Sequence, residues 1–409
     1  MHILLLSDNF PPETNAPANR GFEHAKAWVA AGHRVTVITC APNFPQGKVY
    51  DGYRNSLWQT ENMHGIEVIR VWSYMTRNEG FARRILDFVS YMVTGFIASF
   101  FVRRIDVIVG TSPQFFTACA AWAVSLFRRR PWVFELRDIW PESIRAVSGM
   151  QNSRVLDLLE KLELFLYRSA DAIVAVTPSF KRNLIDRGID GGKISVATNG
   201  VDLSRFARVP RDVTLEASLN LQGKFVAGYI GTHGMAHHLE TLVDAAEMLE
   251  QHPEGGDIRF LLVGDGASKS AIEQRARERG LTNMIFVDPV SREEVARYWS
   301  LLDASIVHLK DTPLFSTVIP SKIFECMAMG IPVLHGVRGD SAEIIEECGA
   351  GILFEPENAT ELATGILELA ENAPLRKSLA DNAVAAAPRF DRTVLAAGML
   401  KVLQTLKPA

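Results

Sequence analysis

The strongest constraint on this chain is a unit that repeats along it: a short aliphatic run, a turn, a stretch of helical period, a glycine, and another aliphatic run. Its first instance is residues 3–7, ILLLS, then the turn-rich DNFPPETNAPANRG, a helix over 20–31, Gly32, and a second strand over 35–39. Strands joined through helices lie parallel, and both sheet faces are then covered, which is why the runs are apolar throughout. Further strands at 66–71, 107–110, 132–136, 172–177 and 194–198, with helices at 155–169 and 179–187, continue the pattern. The first half therefore predicts a parallel sheet covered by helices.

The series restarts after 201–222, a segment of mixed polarity that reads as the crossing into a second domain. Strands at 225–230, 258–263, 284–287 and 304–308 alternate with helices at 239–249, 267–279 and 291–300, and glycines close the first two strands at Gly231 and at Gly264-Asp265-Gly266. At 409 residues the chain is longer than single cores usually grow. The expectation is two α/β domains, 1–205 and 206–387, facing a central cleft at the carboxyl ends of their strands. Residues 388–409 form a C-terminal helix, for which packing back on the first domain is one option.

The densest chemistry lies in IPSKIFECMAMGIPVLHG, residues 319–336. Pro320 and Ser321 precede a helix over 322–329 whose apolar positions are Ile323, Phe324, Met327 and Ala328; Gly330 and Pro332 stop it before a strand over 331–334. Free N–H groups at the helix start and the ammonium of Lys322 attract the same negative charge, so phosphate oxygens suit this place. Glu325, one turn in, is within reach of a hydroxyl pair such as a ribose. The alternative is an ordinary surface ion pair between Lys322 and Glu325.

Lys+Arg at 43 nearly balance Asp+Glu at 47, and a net charge of −4 offers nucleic acid no general attraction. Cys40, Cys119, Cys326 and Cys348 have no metal-ligand spacing, so reduced thiols in a cytoplasmic protein are expected, with neither metal nor cofactor. The start, MHILLLSDNFPP, lacks a basic region and reaches proline too soon for a signal peptide. Residues 81–104, FARRILDFVSYMVTGFIASFFVRR, have an apolar core over 88–102, shorter than the roughly 20 residues of a spanning helix. Arg83, Arg84, Arg103 and Arg104 flank it. A buried helix, a helix lying in one lipid leaflet with arginines on the phosphates, and a true span all remain open.

Seven segments in order, DNFPPETNAPANRG (8–21), AAGHRVTVIT (30–39), ELRDIWPES (135–143), VTPSF (176–180), NGVDLSRF (199–206), LLVGDG (261–266) and PSKIFECMAMGIPVL (320–334), resemble the retaining GT-B glycosyltransferases of family 4. Within that family the wording is most similar to the colanic-acid or L-fucosamine type of bacterial polysaccharide assembly. The resemblance covers nearly the whole chain. It implies two Rossmann-like domains and transfer of a sugar, N-acetyl-L-fucosamine or a related acetamido sugar, from a UDP-linked donor. The implied acceptor is a polyprenyl-diphosphate-linked saccharide in O-antigen (lipopolysaccharide), capsule or exopolysaccharide assembly, at the inner face of the membrane. Retention of anomeric configuration without a metal is implied as well.

Carried over residue by residue, Glu325 matches the second of the family's paired glutamates, expected on the donor ribose, and Thr317 stands where the first would be. Thr232 and His237 occupy the places of an arginine and a lysine that face the diphosphate in the family. Lys322 would then carry much of the leaving-group charge, with the amides around Gly231 and Gly234; Gly264, Pro320, Ser321 and Ile323 complete the donor side. His237 or His238 would carry charge only near the ordinary histidine range, and capping is the alternative for both. Asp138 looks like the substitute for a family histidine at the transferred sugar, in a turn fixed by Trp140-Pro141; pairing with Arg137 or capping the next helix is its alternative role. Glu13, Asn15, Asn19, Arg20 and Arg137 fall on the acceptor side, Arg20 meeting a phosphate. Asn199 and Gly200 fit a hinge. A nucleotide-sugar epimerase and a non-catalytic nucleotide-sugar-binding protein are the competing readings.

Overall fold

A computed structural model describes residues 1–44, 46–76, 81–139, 154–291 and 293–406. The chain divides into two units, Met1–Asn199 with Arg392–Ala409, and Gly200–Asp391.

In the first unit the described strands are β1 (His2–Leu6), β2 (Arg34–Cys40), β3 (Trp58–Met63), β4 (Ile66–Val71), β5 (Val107–Thr111), β6 (Trp132–Leu136), β7 (Ala172–Ala175) and β8 (Ile194–Val196). They form one sheet in the order β3-β4-β2-β1-β5-β6-β7-β8, parallel except where β3 meets β4. The chain winds outward from β1 in both directions, and the carboxyl ends of β1 and β5 mark the switch point at which such sheets leave a crevice.

Strand β3 departs from the expected all-parallel sheet. Its sequence, WQTENM, is polar and nowhere fully buried, as suits an edge. The two-residue loop His64-Gly65, with φ of 53° and 85°, turns it back on β4, because positive φ at both positions matches the strands' twist. The first helix also differs. It spans Ala16–Ala30, because Asn15 accepts a hydrogen bond from the Ala18 amide and proline occupies the first turn. The residues that read as turn formers are here helix starters.

The helix Phe81–Ser99 lies on the sheet through one face only. Tyr91 is fully buried and its hydroxyl donates to the Ile38 carbonyl at 2.7 Å, whereas Leu86, Val93 and Ile97 are exposed. Among the described residues no helix is long and apolar enough to cross a membrane, which removes the spanning alternative for this segment.

The second unit holds β9 (Phe225–Ile230), β10 (Ile258–Val263), β11 (Met284–Val287), β12 (Ala304–His308), β13 (Val333–Gly336) and β14 (Gly351–Leu353). Their order, β11-β10-β9-β12-β13-β14, is parallel throughout and doubly wound about β9. The helix Lys322–Met329 covers the residues anticipated, and Gly330 ends it with φ of 68°.

The helix Arg392–Thr405 belongs to the first unit. It packs on Ala16–Ala30, the Trp28 indole donating to the Ala396 carbonyl at 3.0 Å, and Met399, Leu400 and Leu403 join Ile3, Leu5 and Val37 in one core cluster. Truncating the fully buried Leu403 to alanine is expected to cost about 2–5 kcal/mol. Urea unfolding followed by tryptophan fluorescence should show this as a lowered midpoint.

Candidate functional site

In the second unit the loops leaving β9 and β10 touch backbone to backbone. Gly231 and Gly264 have φ of 144° and 146°, and a Cβ on Gly264 would fall 1.9 Å from the Gly231 carbonyl oxygen. One on Gly266 would fall 2.5 Å from the His233 carbonyl. The contact is tied by the His233 amide donating to Asp265 and the Ser268 amide donating to His233, each at 2.8 Å. Only glycine permits both the conformation and the approach.

Lys322, at the start of the helix Lys322–Met329, reaches into this place. Its ammonium lies 3.7 Å from the centre of the Tyr229 ring, and a Cβ on Gly231 would come within 2.9 Å of it. The nitrogen is shielded from solvent and has no hydrogen-bond partner, so the surface ion pair with Glu325 is not formed. Burial lowers its pKa to about 8, against the opposing influence of Cys326 and Glu325. The Tyr229 hydroxyl donates to the Thr232 carbonyl at 2.8 Å, which fixes the ring under the lysine.

Two histidines border the lysine. His233 is fully buried with neither ring nitrogen partnered, and burial, with Lys269 and Lys322 nearby, holds its pKa down at about 4. Burial and then Lys322 hold His237 at about 4 as well. The titration anticipated for His237 near the ordinary histidine range is thus corrected: the ring is neutral at physiological pH. Its carbonyl accepts from His308 Nδ1 at 2.8 Å, and the amide of His237 donates to Gly234. His238, at φ 42°, pairs its ring with the Thr241 hydroxyl at 3.0 Å and so serves the following helix.

The approach to Lys322 is already bonded internally. The Ile323 amide donates to Pro320 and the Phe324 amide to Ser321, both at 3.1 Å, and the Ile323 side chain is fully buried. Ser321 makes no side-chain cap. Thr317 ends a 3-10 turn and its hydroxyl donates to Leu314 at 2.8 Å, while Glu325 sits half-buried in the first turn of the helix. Gly231, Thr232, His237, Gly264 and Lys322 therefore converge, with Thr317, Pro320, Ser321 and Glu325 on the segment that delivers the lysine.

In the first unit the expected acceptor-side residues are mostly committed to the fold. Arg20, assigned to a phosphate, is buried: Nε donates to Glu135 at 2.7 Å, Nη1 to Thr198 at 2.7 Å, and Nη2 to Ala197 at 2.8 Å. Its guanidinium is spent on these groups. Burial would raise the Glu135 carboxyl, but Arg20, then His24 and Arg137, hold it down at about 2. Glu13 accepts the amides of Asn43 and Phe44 at 2.7 and 2.9 Å, Asn15 caps a helix, and Asn19 donates to Thr14 at 2.8 Å. A loop folded this tightly must satisfy its own backbone, and its polar side chains do so.

Arg137 and Asp138 are half-buried after β6, and their amides donate to the Ser112 hydroxyl at 2.7 and 3.3 Å. Burial lowers Arg137 to about 10. Trp140, Pro141 and the remainder of ELRDIWPES lie outside the described residues. Three residues had no assignment from sequence: His233, Tyr229 and Asp8. A histidine between Gly231 and Gly234 was the available signal for the first; nothing local distinguished Tyr229. Asp8 follows β1, and burial, with Asp87 and Glu13, lifts its carboxyl to about 8.

Residues 20–205 match the Glycosyltransferase Family 4 domain, and 224–372 match the Glycosyl transferases group 1 domain. A relative from Escherichia coli K12, named as a colanic acid biosynthesis glycosyl transferase, WcaI, is 25% identical over 383 residues, 90% of this chain and 91% of that one. One from Bacillus subtilis 168, named as a teichuronic acid biosynthesis glycosyltransferase, TuaH, is 27% identical over 214 residues, 51% of each chain. Among solved structures, Anabaena HepE in complex with UDP gives a TM-score of 0.73 at 19% identity, over 99% of this chain and 100% of that one. Sucrose-phosphate synthase from Thermosynechococcus elongatus gives 0.75 at 18% identity, over 99% and 98%. The structural likenesses carry the fold.

Replacing Arg20 by methionine would strand the Glu135 carboxylate, and a buried charge that loses its partner costs about 3–5 kcal/mol. Urea unfolding should show that loss, and adding Glu135→Gln should recover part of it. A role for Arg20 confined to ligand binding would leave the unfolding midpoint of Arg20→Met unchanged.

Proposed function

Since the chain is a GT-B glycosyltransferase built from a family 4 and a group 1 domain, we propose that it transfers a sugar from a UDP-linked donor to a lipid-linked saccharide, with retention, during assembly of a bacterial surface polysaccharide. The single observation that carries the donor side is Lys322, a buried ammonium without a hydrogen-bond partner where two glycine loops and a helix start meet. The relatives named for colanic and teichuronic acid biosynthesis support the polysaccharide, and the HepE complexes with UDP and UDP-glucose support the donor class. An acetamido sugar such as N-acetyl-L-fucosamine, a polyprenyl-diphosphate acceptor and a peripheral place on the inner membrane face extend this reading.

As the bond from the anomeric carbon to the diphosphate lengthens, the ring becomes cation-like and negative charge grows on the leaving phosphate. Catalysis here means stabilising that charge more than the ground state. Lys322 supplies the cation by leaving the Tyr229 ring for a phosphate oxygen. The neutral rings of His233 and His237 supply hydrogen bonds without charge. Glu325 accepts from the ribose hydroxyls, and Asp138 meets the transferred sugar. The departing diphosphate takes the acceptor's proton on the same face, which gives retention. Thr317 adds a hydroxyl where a carboxylate would otherwise favour the cation-like ring.

Incubation with UDP-, GDP- and dTDP-sugars, with and without polyprenyl-diphosphate saccharides, should yield glycolipid from one donor and only with acceptor, followed by mass spectrometry. Lys322→Ala and Glu325→Ala should each lower kcat/KM on the order of 10²–10³-fold. Donor consumed without acceptor, or nucleotide bound tightly with no product, would overturn the transferase reading.

UDP affinity should also depend on pH. The charged form of Lys322 binds the diphosphate, so affinity is full below about 8 and is lost as pH rises through that value. The loss approaches about tenfold per pH unit when only the ammonium binds. Calorimetric titration should show this slope in the native protein and its disappearance in Lys322→Arg, whose guanidinium stays charged.

A further inference from the structure

One face of the first unit is apolar, aromatic and edged with arginine. Three separate parts of the chain build it: the outer side of the helix Phe81–Ser99 with the following Phe100 and Phe101, the end of the helix Phe115–Arg128, and Trp58 at the start of β3. The rings touch edge to face. Phe96 meets Phe100 at 5.1 Å and Phe127 at 5.4 Å, and Trp58 meets Phe101 at 5.5 Å. Yet Phe101 is 69% exposed, Phe127 66% and Leu126 62%. A contiguous aromatic patch this open on a folded unit calls for an occupant.

The charges around the patch identify one. Arg83 and Arg84 are exposed at one end of the helix, and Arg103, Arg104 and Arg129 at the other, in a chain whose net charge is −4. Arg128 is held in place by the carbonyls of Ser99 and Val102, at 2.7 and 2.9 Å, with its guanidinium 5.5 Å from the Phe100 ring centre. On the same helix Asp87 is half-buried, and burial raises it to about 7, which weakens its opposition to the arginines. A second copy of this chain would set these arginines against their own symmetry mates, since a two-fold interface brings the same patch together. An anionic bilayer offers the complement: phosphates for the arginines and a hydrocarbon boundary for the rings.

We propose that this face docks on an anionic lipid bilayer, with Phe101, Leu126 and Phe127 below the headgroups and Arg103, Arg104 and Arg129 on lipid phosphates. The inference rests on the lipid-linked acceptor of the proposed function and names the surface that brings the enzyme to it. The helix 81–99 contributes its flank, and the deepest side chains come from the turn after it and from the neighbouring helix end.

The test is co-sedimentation of the full chain with vesicles of phosphatidylcholine alone and of phosphatidylcholine with phosphatidylglycerol. Binding should need phosphatidylglycerol, weaken with salt, fall about fivefold for each of Arg103→Gln and Arg104→Gln, and be abolished in Phe101→Ser/Phe127→Ser. Thermal unfolding of that double variant should match the parent, since the side chains are exposed. Equal binding to neutral vesicles, sedimentation unchanged in the double variant, or a dimer that the double variant dissolves would each overturn the proposal. Transfer to a short-chain, water-soluble acceptor separates the two readings: the double variant should retain it while losing transfer to vesicle-borne acceptor. Vesicle binding without transfer to any acceptor would leave the docking face standing and remove the transferase assignment.

Discussion

The Gly231 carbonyl oxygen lies where any side chain on Gly264 would have to begin. That exclusion lets the loop after β9 rest on the loop after β10, and the candidate site of the second unit is built around it. With the loops in contact, His233 is enclosed, Tyr229 is locked through Thr232, and the space over its ring is sized for the Lys322 ammonium. A single alanine at Gly264 would push the loops apart by more than a side chain can absorb. The chemistry of the site thus follows from backbone proximity, and the side chains occupy what the glycines leave.

The two units treat charge in opposite ways. In the first, the Arg20 guanidinium is consumed by Glu135 and by carbonyls at the ends of β8, and that pair is structural. In the second, the Lys322 ammonium is withdrawn from water and left with a ring face as its contact. A buried cation set over a ring quadrupole, with only the influence of Cys326 and Glu325 beside it, is weakly compensated and responds strongly to an incoming anion. Such poise is what a leaving-group site requires and what a structural ion pair cannot offer.

How far the sequence could be read depended on how local each determinant is. The helix Lys322–Met329 was legible because its start, its apolar positions and its terminating Gly330 are neighbours in the chain. The parallel strands were legible because burial on both faces writes itself as continuous apolar runs. Strand β3 was not, since an edge strand needs no such run, and its evidence is the positive-φ pair His64-Gly65. Arg20 was misjudged because the carboxylate that claims it is 115 residues away in sequence. Likewise the neutral state of His237 comes from burial and from Lys322, neither of which its own neighbours encode.

The first unit is interrupted by the whole of the second. One of its core clusters closes only when Met399, Leu400 and Leu403 reach Ile3, Leu5 and Trp28, while the larger one is built from residues 4–194 alone. On the ribosome, therefore, the sheet of the first unit emerges early, but the patch that the helix Arg392–Thr405 covers stays open while residues 200–391 are made. The later unit has all its parts in one stretch and can finish first. The last piece of the first unit is in this way made after the whole of the second, and one apolar patch of its sheet stays without its covering helix until then.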